Sequence, residues 1–320
     1  MLARLTGEQR IGQLLMAGLS PSAGPSSLSA TLRDQHIGGV VYLGGWRDAS
    51  SVGAASSALQ QRSTEDVALL VAADQEGGQI QQLRGSGFTP LPSAVDQGRM
   101  AAEQLSTLWA GAGRELRDAG VNVNLAPVAD VVPKGRESVN APIGRYSRQL
   151  GSDPGQVAGA VRAIVAGLSQ AGVTATVKHF PGLGRVTGNT DVTSQGITDE
   201  TTTATDSYLE PFRAGIDAGA SLVMVSSARY PRIDPANPAV FSPAVIIGLL
   251  RTAMGYSGVV ISDDIGIAEA VSGVPAGERA TRFLAAGGDI VLTAQASTVP
   301  TMTSAITARA QRDPGFAEQV

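Results

Sequence analysis

Apolar residues recur along this chain in two rhythms. Short runs rich in Val, Ile and Leu stand at Leu14–Leu19, Gly39–Leu43, Ala68–Asp74, Val121–Ala126, Ala175–Phe180, Leu222–Ser227, Gly258–Asp263 and Asp289–Thr293. Continuous stretches of that length suit strands buried on both faces, as in a parallel sheet. Between them the period changes. Val157, Val161, Ile164, Val165 and Leu168 share one helical face, with Ser152 or Asp153 to cap the helix, Pro154 in its first turn and Gly172 to end it. Ser242 and Pro243 open another helix that Gly255 ends, and Leu105, Leu108, Trp109, Ala112 and Leu116 define a third that stops at Gly120. Further helices are predicted over Ser50–Ser63, Asp206–Ala218, Glu278–Ala286 and Thr298–Ala310. Strands alternating with helices predict an α/β protein: a (β/α)8 barrel of the TIM type, one domain spanning 1–320. A doubly wound open sheet is the rival. No Gly-x-Gly-x-x-Gly turn follows the first strands, so a dinucleotide fold gains no support.

Composition narrows the functional classes. With 320 residues and 43% hydrophobic content a large core is available, and barrels of this size form single domains. Net charge is −4 and no Lys/Arg-rich run occurs, which argues against nucleic acid or an anionic membrane as partner. Cysteine is absent, removing disulfides, thiol catalysis and thiolate metal sites together. Only two histidines are present, His36 and His179, so a soft-metal site is not expected, although a carboxylate-only magnesium site stays open. No cofactor is expected. No apolar run approaches the roughly 20 residues of a membrane span. The start, Met1-Leu2-Ala3-Arg4-Leu5-Thr6, lacks the features of a signal peptide. A removed leader, trimmed ends and the compartment, envelope or cytoplasm, are left open. A monomer is expected.

Position singles out the candidate chemistry. In barrels of this kind the reactive groups gather at the carboxyl ends of the strands. Asp74 ends the third run, Asn124 and Asp130 lie at the end of the fourth, Lys178 and His179 at the fifth, Ser226 and Ser227 at the sixth, and Asp263 and Asp264 at the seventh. Each has an ordinary structural explanation as well. Asp263 could cap the next helix, although Asp264 fits that role better and leaves Asp263 free to face the mouth. Asp74 could pair with Arg84. Lys178 and His179 could form a core ion pair with one of the aspartates, since adjacent strand residues point to opposite faces unless the strand is turning. His36, at a helix-to-strand junction on the opposite rim, reads as structural. The glycines after Pro181 are not a phosphate loop, because no Gly-Lys-Ser/Thr opens a following helix.

Four segments together go further. Asp74-Gln75-Glu76-Gly77-Gly78, Ala126-Pro127-Val128-Ala129-Asp130, Lys178-His179-Phe180-Pro181-Gly182 and Ile261-Ser262-Asp263-Asp264 resemble, in order and in spacing, glycoside hydrolase family 3, and within it the single-domain bacterial β-N-acetylglucosaminidases. The similarity runs from about Leu5 to Thr293. It implies a (β/α)8 barrel and retaining exo-hydrolysis of terminal β-linked N-acetylglucosamine, as found in cell-wall fragments. Residue by residue, it implies Asp263 as nucleophile and Asp74, Lys178 and His179 as the groups that hold the sugar hydroxyls. Arg148 matches a family arginine if two residues are inserted. Gln82 stands on the substrate side where the family usually has arginine.

The loop after Lys178 departs most. The family carries Asp-Ser-His there, its histidine serving as acid/base, whereas this chain has Asn189-Thr190-Asp191. Retaining hydrolysis usually employs two carboxyls about 5–5.5 Å apart. The expectation is therefore Asp263 as nucleophile, Asp191 as acid/base and Asn189 as the amide that orients it. Asp191 would have to keep its proton near neutral pH, through burial on loop closure and the charge of Asp263. Glycines 182, 184 and 188 would let the loop close. The competing readings are a glycosidase for glucose or xylose, and a sugar-binding homologue in which Asp191 only caps a turn and turnover is weak or lost.

Overall fold

A computed structural model describes residues 4–64 and 67–320, so the first three residues of the chain lie outside it. All eight apolar runs form parallel strands: β1 (Leu15–Leu19), β2 (Gly39–Tyr42), β3 (Leu70–Ala73), β4 (Val123–Asn124), β5 (Thr174–Phe180), β6 (Leu222–Val225), β7 (Val259–Ser262) and β8 (Val291–Thr293). Each pairs with its sequence neighbour, and β8 returns to β1 through Leu15↔Val291 and Met16↔Leu292. A parallel bridge between Ile261 and Ile290 closes the last gap, so the sheet is a barrel and not an open doubly wound sheet.

A helix follows every strand: α1 (Ser29–Gln35), α2 (Ala49–Gln60), α3 (Ala102–Asp118), α4 (Pro154–Gln170), α5 (Glu210–Asp217), α6 (Ala244–Ala253), α7 (Ala276–Ala285) and α8 (Val299–Ala310). The predicted stops are real. Asp153 accepts a hydrogen bond from Gln156 N (2.8 Å) at the head of α4, and Gly172 follows its end with φ of +76°. The short α1 escaped the periodicity, because only Leu32 of its seven residues is buried. α6 is wound as a π-helix, a difference that apolar spacing alone does not reveal. Short helices also form at Gly7–Gln13 and Pro314–Gln319. Among the described residues no helix is long and apolar enough to cross a membrane.

Strand alternation explains the unbroken apolar runs. Met16, Val41, Ala72, Val123, Leu222, Met224, Ile261 and Leu292 fill the barrel interior. Their neighbours, among them Leu15, Ala17, Val40, Val71, Val223 and Val260, pack outward against the helices. Both faces are dry, so both must be apolar. The same two-residue period then decides what faces the mouth. Asp74 stands two residues beyond the inward-facing Ala72, and Asp263 two beyond Ile261.

Candidate active site

A cavity of about 250 Å³ opens at the carboxyl ends of the strands. Its walls include Asp74, Arg148, Lys178, His179, Asn189, Asp191 and Asp263, with Asp264 and Thr190 beside them. Apolar side chains, among them Leu43, Ile80, Leu125, Leu183, Met224 and Leu292, complete it. The structure thus brings together every residue given a catalytic or sugar-binding role from the sequence except Gln82, while Asn124, Asp130, Ser226 and Ser227 of the strand ends do not line the cavity. Gln82 does not line this cavity either; its side-chain oxygen accepts a hydrogen bond from Gly45 N (3.1 Å).

One side of the cavity is a network of paired charges. Lys178 Nζ lies 2.5 Å from Asp74 Oδ1 and 2.6 Å from Glu76 Oε1. Arg148 grips Glu76 with both arms of its guanidinium, at 2.8 Å through Nε and 2.7 Å through Nη2, and its Nη1 donates to the Pro142 carbonyl (2.8 Å). Asp74 therefore pairs with Lys178 and not with Arg84, whose guanidinium donates to the carbonyls of Gln81 and Gln79. Burial would push the Glu76 carboxyl up; the charges of Arg148 and Lys178 outweigh it and hold the group down at about 2. Burial likewise works against the charge on Lys178, but Asp74 and Glu76 reverse the balance and raise it. Glu76, Arg148 and Lys178 are thus charged near neutral pH.

His179 is fixed by a second buried carboxylate. Asp130, fully buried, receives His179 Nδ1 at 2.7 Å, the His179 backbone N–H at 3.3 Å and Leu183 N at 2.6 Å. The Lys178–His179 peptide is cis, and both side chains line the cavity. With Nδ1 held by Asp130, Nε2 is left facing Arg148 Nη2 at 3.4 Å. Glu76 and Asp130 support the site but were not among the residues assigned roles from the sequence. Both lie inside the quoted segments, and for Glu76 the carboxylate just before the Gly77-Gly78 turn was the available signal.

The opposite side is built differently. Asp264 accepts backbone N–H groups from Gly266 (2.8 Å) and Ala294 (3.2 Å), which leaves Asp263 as the carboxyl aimed at the cavity. Among the described residues the Asp263 carboxyl accepts one hydrogen bond, from Asp264 N (2.9 Å). Burial pushes its carboxyl up, the positive side of His179 partly offsets this, the negative charge of Asp191 adds to it, and the result is about 6.

Asp191 lies on the loop after β5, and its side chain is exposed. Asn189 holds it, but through the main chain: Asn189 Oδ1 accepts the Asp191 backbone N–H at 3.0 Å. The expected side-chain amide-to-carboxyl contact is not formed. The loop tip is also stitched to the loop after β7, with Ala270 N donating to Thr190 O (3.0 Å) and Glu269 N to Asp191 O (3.1 Å). At its base Arg185 pairs with Asp206 (2.6 Å) and stacks on Tyr208. The glycines act otherwise than expected. A Cβ at Gly184 would run into the Val131 carbonyl, and one at Gly188 into the Gln195 carbonyl, so these two permit close packing. Only Gly182 of the three takes a positive φ, +131°.

This geometry agrees with comparison to known proteins. The chain matches the model of the glycosyl hydrolase family 3 N terminal domain over residues 6–312. A β-hexosaminidase of Xanthomonas oryzae is 37% identical over 279 residues, which is 83% of this chain and 80% of the relative. The crystal structure of a β-N-acetylhexosaminidase from Beutenbergia cavernae superposes with a TM-score of 0.95 at 42% identity, covering 98% of this chain and 95% of that one. A family 3 β-N-acetylglucosaminidase from Paenibacillus sp. superposes with a TM-score of 0.85 at 30% identity; it covers 98% of this chain, which spans 61% of that longer protein. The chain therefore belongs to glycosyl hydrolase family 3 and is a glycoside hydrolase built on that family's N-terminal barrel.

Proposed function

We propose that the protein is a retaining exo-β-N-acetylglucosaminidase acting on terminal β-linked N-acetylglucosamine in cell-wall, muropeptide-type glycosides. The observation that carries this reading is the arrangement of the cavity: two carboxyls that form no salt bridge among the described residues, Asp263 and Asp191, face a cradle of paired charges. The sugar preference rests on the relatives, named as hexosaminidases and an acetylglucosaminidase. Every group invoked comes from one barrel, so the span 1–320 acts as one catalytic unit, with a monomer sufficient.

In this mechanism Asp74, Lys178, Arg148 and His179 hold the hydroxyls of the terminal sugar. The ionised Asp263 attacks the anomeric carbon as the bond to the leaving oxygen breaks, and Asp191 gives that oxygen its proton. Water then attacks the glycosyl–Asp263 ester, Asp191 takes the water's proton, and Asp263 leaves as carboxylate. The arrangement of Asn189 described above makes it a holder of the loop and not a direct partner of the acid.

Turnover of aryl β-N-acetylglucosaminides by the wild type, Asp263→Asn and Asp191→Asn tests the roles. Asp263→Asn should lose at least about 10³-fold in kcat. Asp191→Asn should lose about 10²-fold or more on a poor leaving group, and little in the first step on an activated one, with azide restoring turnover. Wild-type behaviour of Asp191→Asn on a poor leaving group would remove Asp191 from the mechanism. An inert wild type that still binds N-acetylglucosamine would favour the sugar-binding reading, to which the exposure of Asp191 lends some weight.

A further inference from the structure

A second cavity, of about 270 Å³, adjoins the first. Gly44, Gly45, Arg47, Gln79, Gln81, Gln82 and Arg84 line it. The partition between the two is thin: Leu43 faces the first cavity and Gly44 the second, while Ile80 faces the first and its neighbours Gln79 and Gln81 the second. The second cavity has two cations, three amides and no acid, in a chain whose net charge is −4. Among the described residues neither Arg47 nor Arg84 has a carboxylate partner, and Arg47 makes no side-chain hydrogen bond at all. Gln82 uses its oxygen on Gly45 N and keeps its amide nitrogen uncommitted. Gly45, with φ of +77°, leaves open space where a side chain would stand.

Its place relative to the reacting carbon follows from the barrel. β3, which leads to Asp74, and β7, which leads to Asp263, are four strands apart in the closed order of eight, hence across the mouth from one another. On the functional reading above, on which this inference rests, the anomeric carbon sits at Asp263. The far edge of the ring, carrying its O4 and O6, then points to Asp74 and Lys178, and the second cavity lies just beyond. We propose that this cavity is a subsite for an anionic substituent on the distal edge of the terminal sugar, a sulfate or phosphate ester at O6 or O4. Arg47 and the Gln82 amide donate to its oxygens, and the Arg84 charge adds to the local field. Gln82 then acts on the sugar's substituent and not on the sugar ring.

Calorimetric titration with N-acetylglucosamine and with its 4- and 6-sulfates tests this without depending on turnover. In the wild type one of the sulfates should bind about five- to tenfold more tightly than the parent sugar. Arg47→Glu should abolish that preference while leaving parent binding unchanged; Arg47→Ala should lie between. If both sulfates bind no better than the parent, or if the preference survives Arg47→Glu, the subsite is overturned although the sugar site stands. If neither parent nor sulfates bind, the sugar-site reading falls and the subsite falls with it.

Discussion

The two sides of the catalytic mouth handle charge in opposite ways. On the side of β3 to β5, Asp74, Glu76, Lys178 and Arg148 are linked in a chain of contacts between 2.5 and 2.8 Å, and Asp130 takes three donors from His179 and Leu183. On the side of β7 and the loop after β5, Asp263 has a single backbone donor and Asp191 stands exposed. Paired, buried charges hold a fixed geometry, and Glu76 among them resists protonation. A lone half-buried carboxyl is held in a less favourable state, which suits the nucleophilic role proposed for Asp263. On the proposed function the cradle shapes the ligand and the opposite wall keeps its carboxyls available.

The largest expected effect comes from breaking the cradle. Glu76→Gln keeps the shape but leaves Arg148 without its carboxylate and Lys178 with Asp74 alone. Removing one partner from a buried ionic network costs about 3–5 kcal/mol. The loss should show in denaturant unfolding at pH 7 as a lower midpoint with an unchanged slope. Because the Glu76 carboxyl lies at about 2 in the fold, below its ordinary 4.5, its contribution is complete above the ordinary value and fades as pH falls towards 2. The gap between wild type and variant should narrow over that window. A variant as stable as wild type at pH 7 would mean that the cradle's charges do not hold the fold.

The opposite wall should respond with the opposite sign. Asp263 lies at about 6, raised from 3.8, so between those values the folded chain binds more protons than the unfolded one. Stability then falls as pH rises through that window, and the cost, on the order of 2–3 kcal/mol, is present in full above pH 6. Asp263→Asn removes the charge and keeps an acceptor for Asp264 N. It should unfold about 3–4 °C higher than wild type at pH 7.5 and at the same temperature near pH 4. With Asp263 in its proposed role as nucleophile, the wild-type kcat/KM should decline below pH 6 about tenfold per unit as that carboxylate is protonated. Equal melting temperatures at pH 7.5 would show that Asp263 is as well solvated in the fold as in the unfolded chain.

The sequence reveals the two sides unequally, for a physical reason. The barrel was readable because strands buried on both faces leave unbroken apolar runs, and the two-residue period carries inward-facing Ala72 and Ile261 on to Asp74 and Asp263. Placement of Asp74 and Asp263 at the mouth was legible for the same reason. Contacts between distant loops were not. Nothing in the order of residues pairs Glu76 with Arg148, 72 positions away, or tells that Glu269 and Ala270 bind the tip of the loop carrying Asp191. Gln82 was misplaced because the resemblance aligns it with a residue on the sugar, whereas its own amide turns towards Gly45. Gly184 and Gly188 were read as flexible when their role is close packing, a distinction set by the carbonyls of Val131 and Gln195.

The smallest effect sharpens the comparison most, because it asks how Asp191, the proposed acid, is held. Asn189 bonds the backbone N–H of Asp191, while Glu269 N and Ala270 N hold the same loop tip independently. Asn189→Ala removes one of three tethers and none of the contacts of the Asp191 carboxyl. One such hydrogen bond contributes about 1 kcal/mol, so kcat on a glycoside with a poor leaving group should fall about three- to fivefold. Turnover of an activated aryl glycoside should not change, since that step needs little proton donation. A loss as deep as that of Asp191→Asn would instead mean that the Asn189 amide acts on the carboxyl itself in the working enzyme. The loop would then have to rearrange when substrate enters, and the exposed Asp191 of the free protein would be the resting state of a part that turns inward on binding.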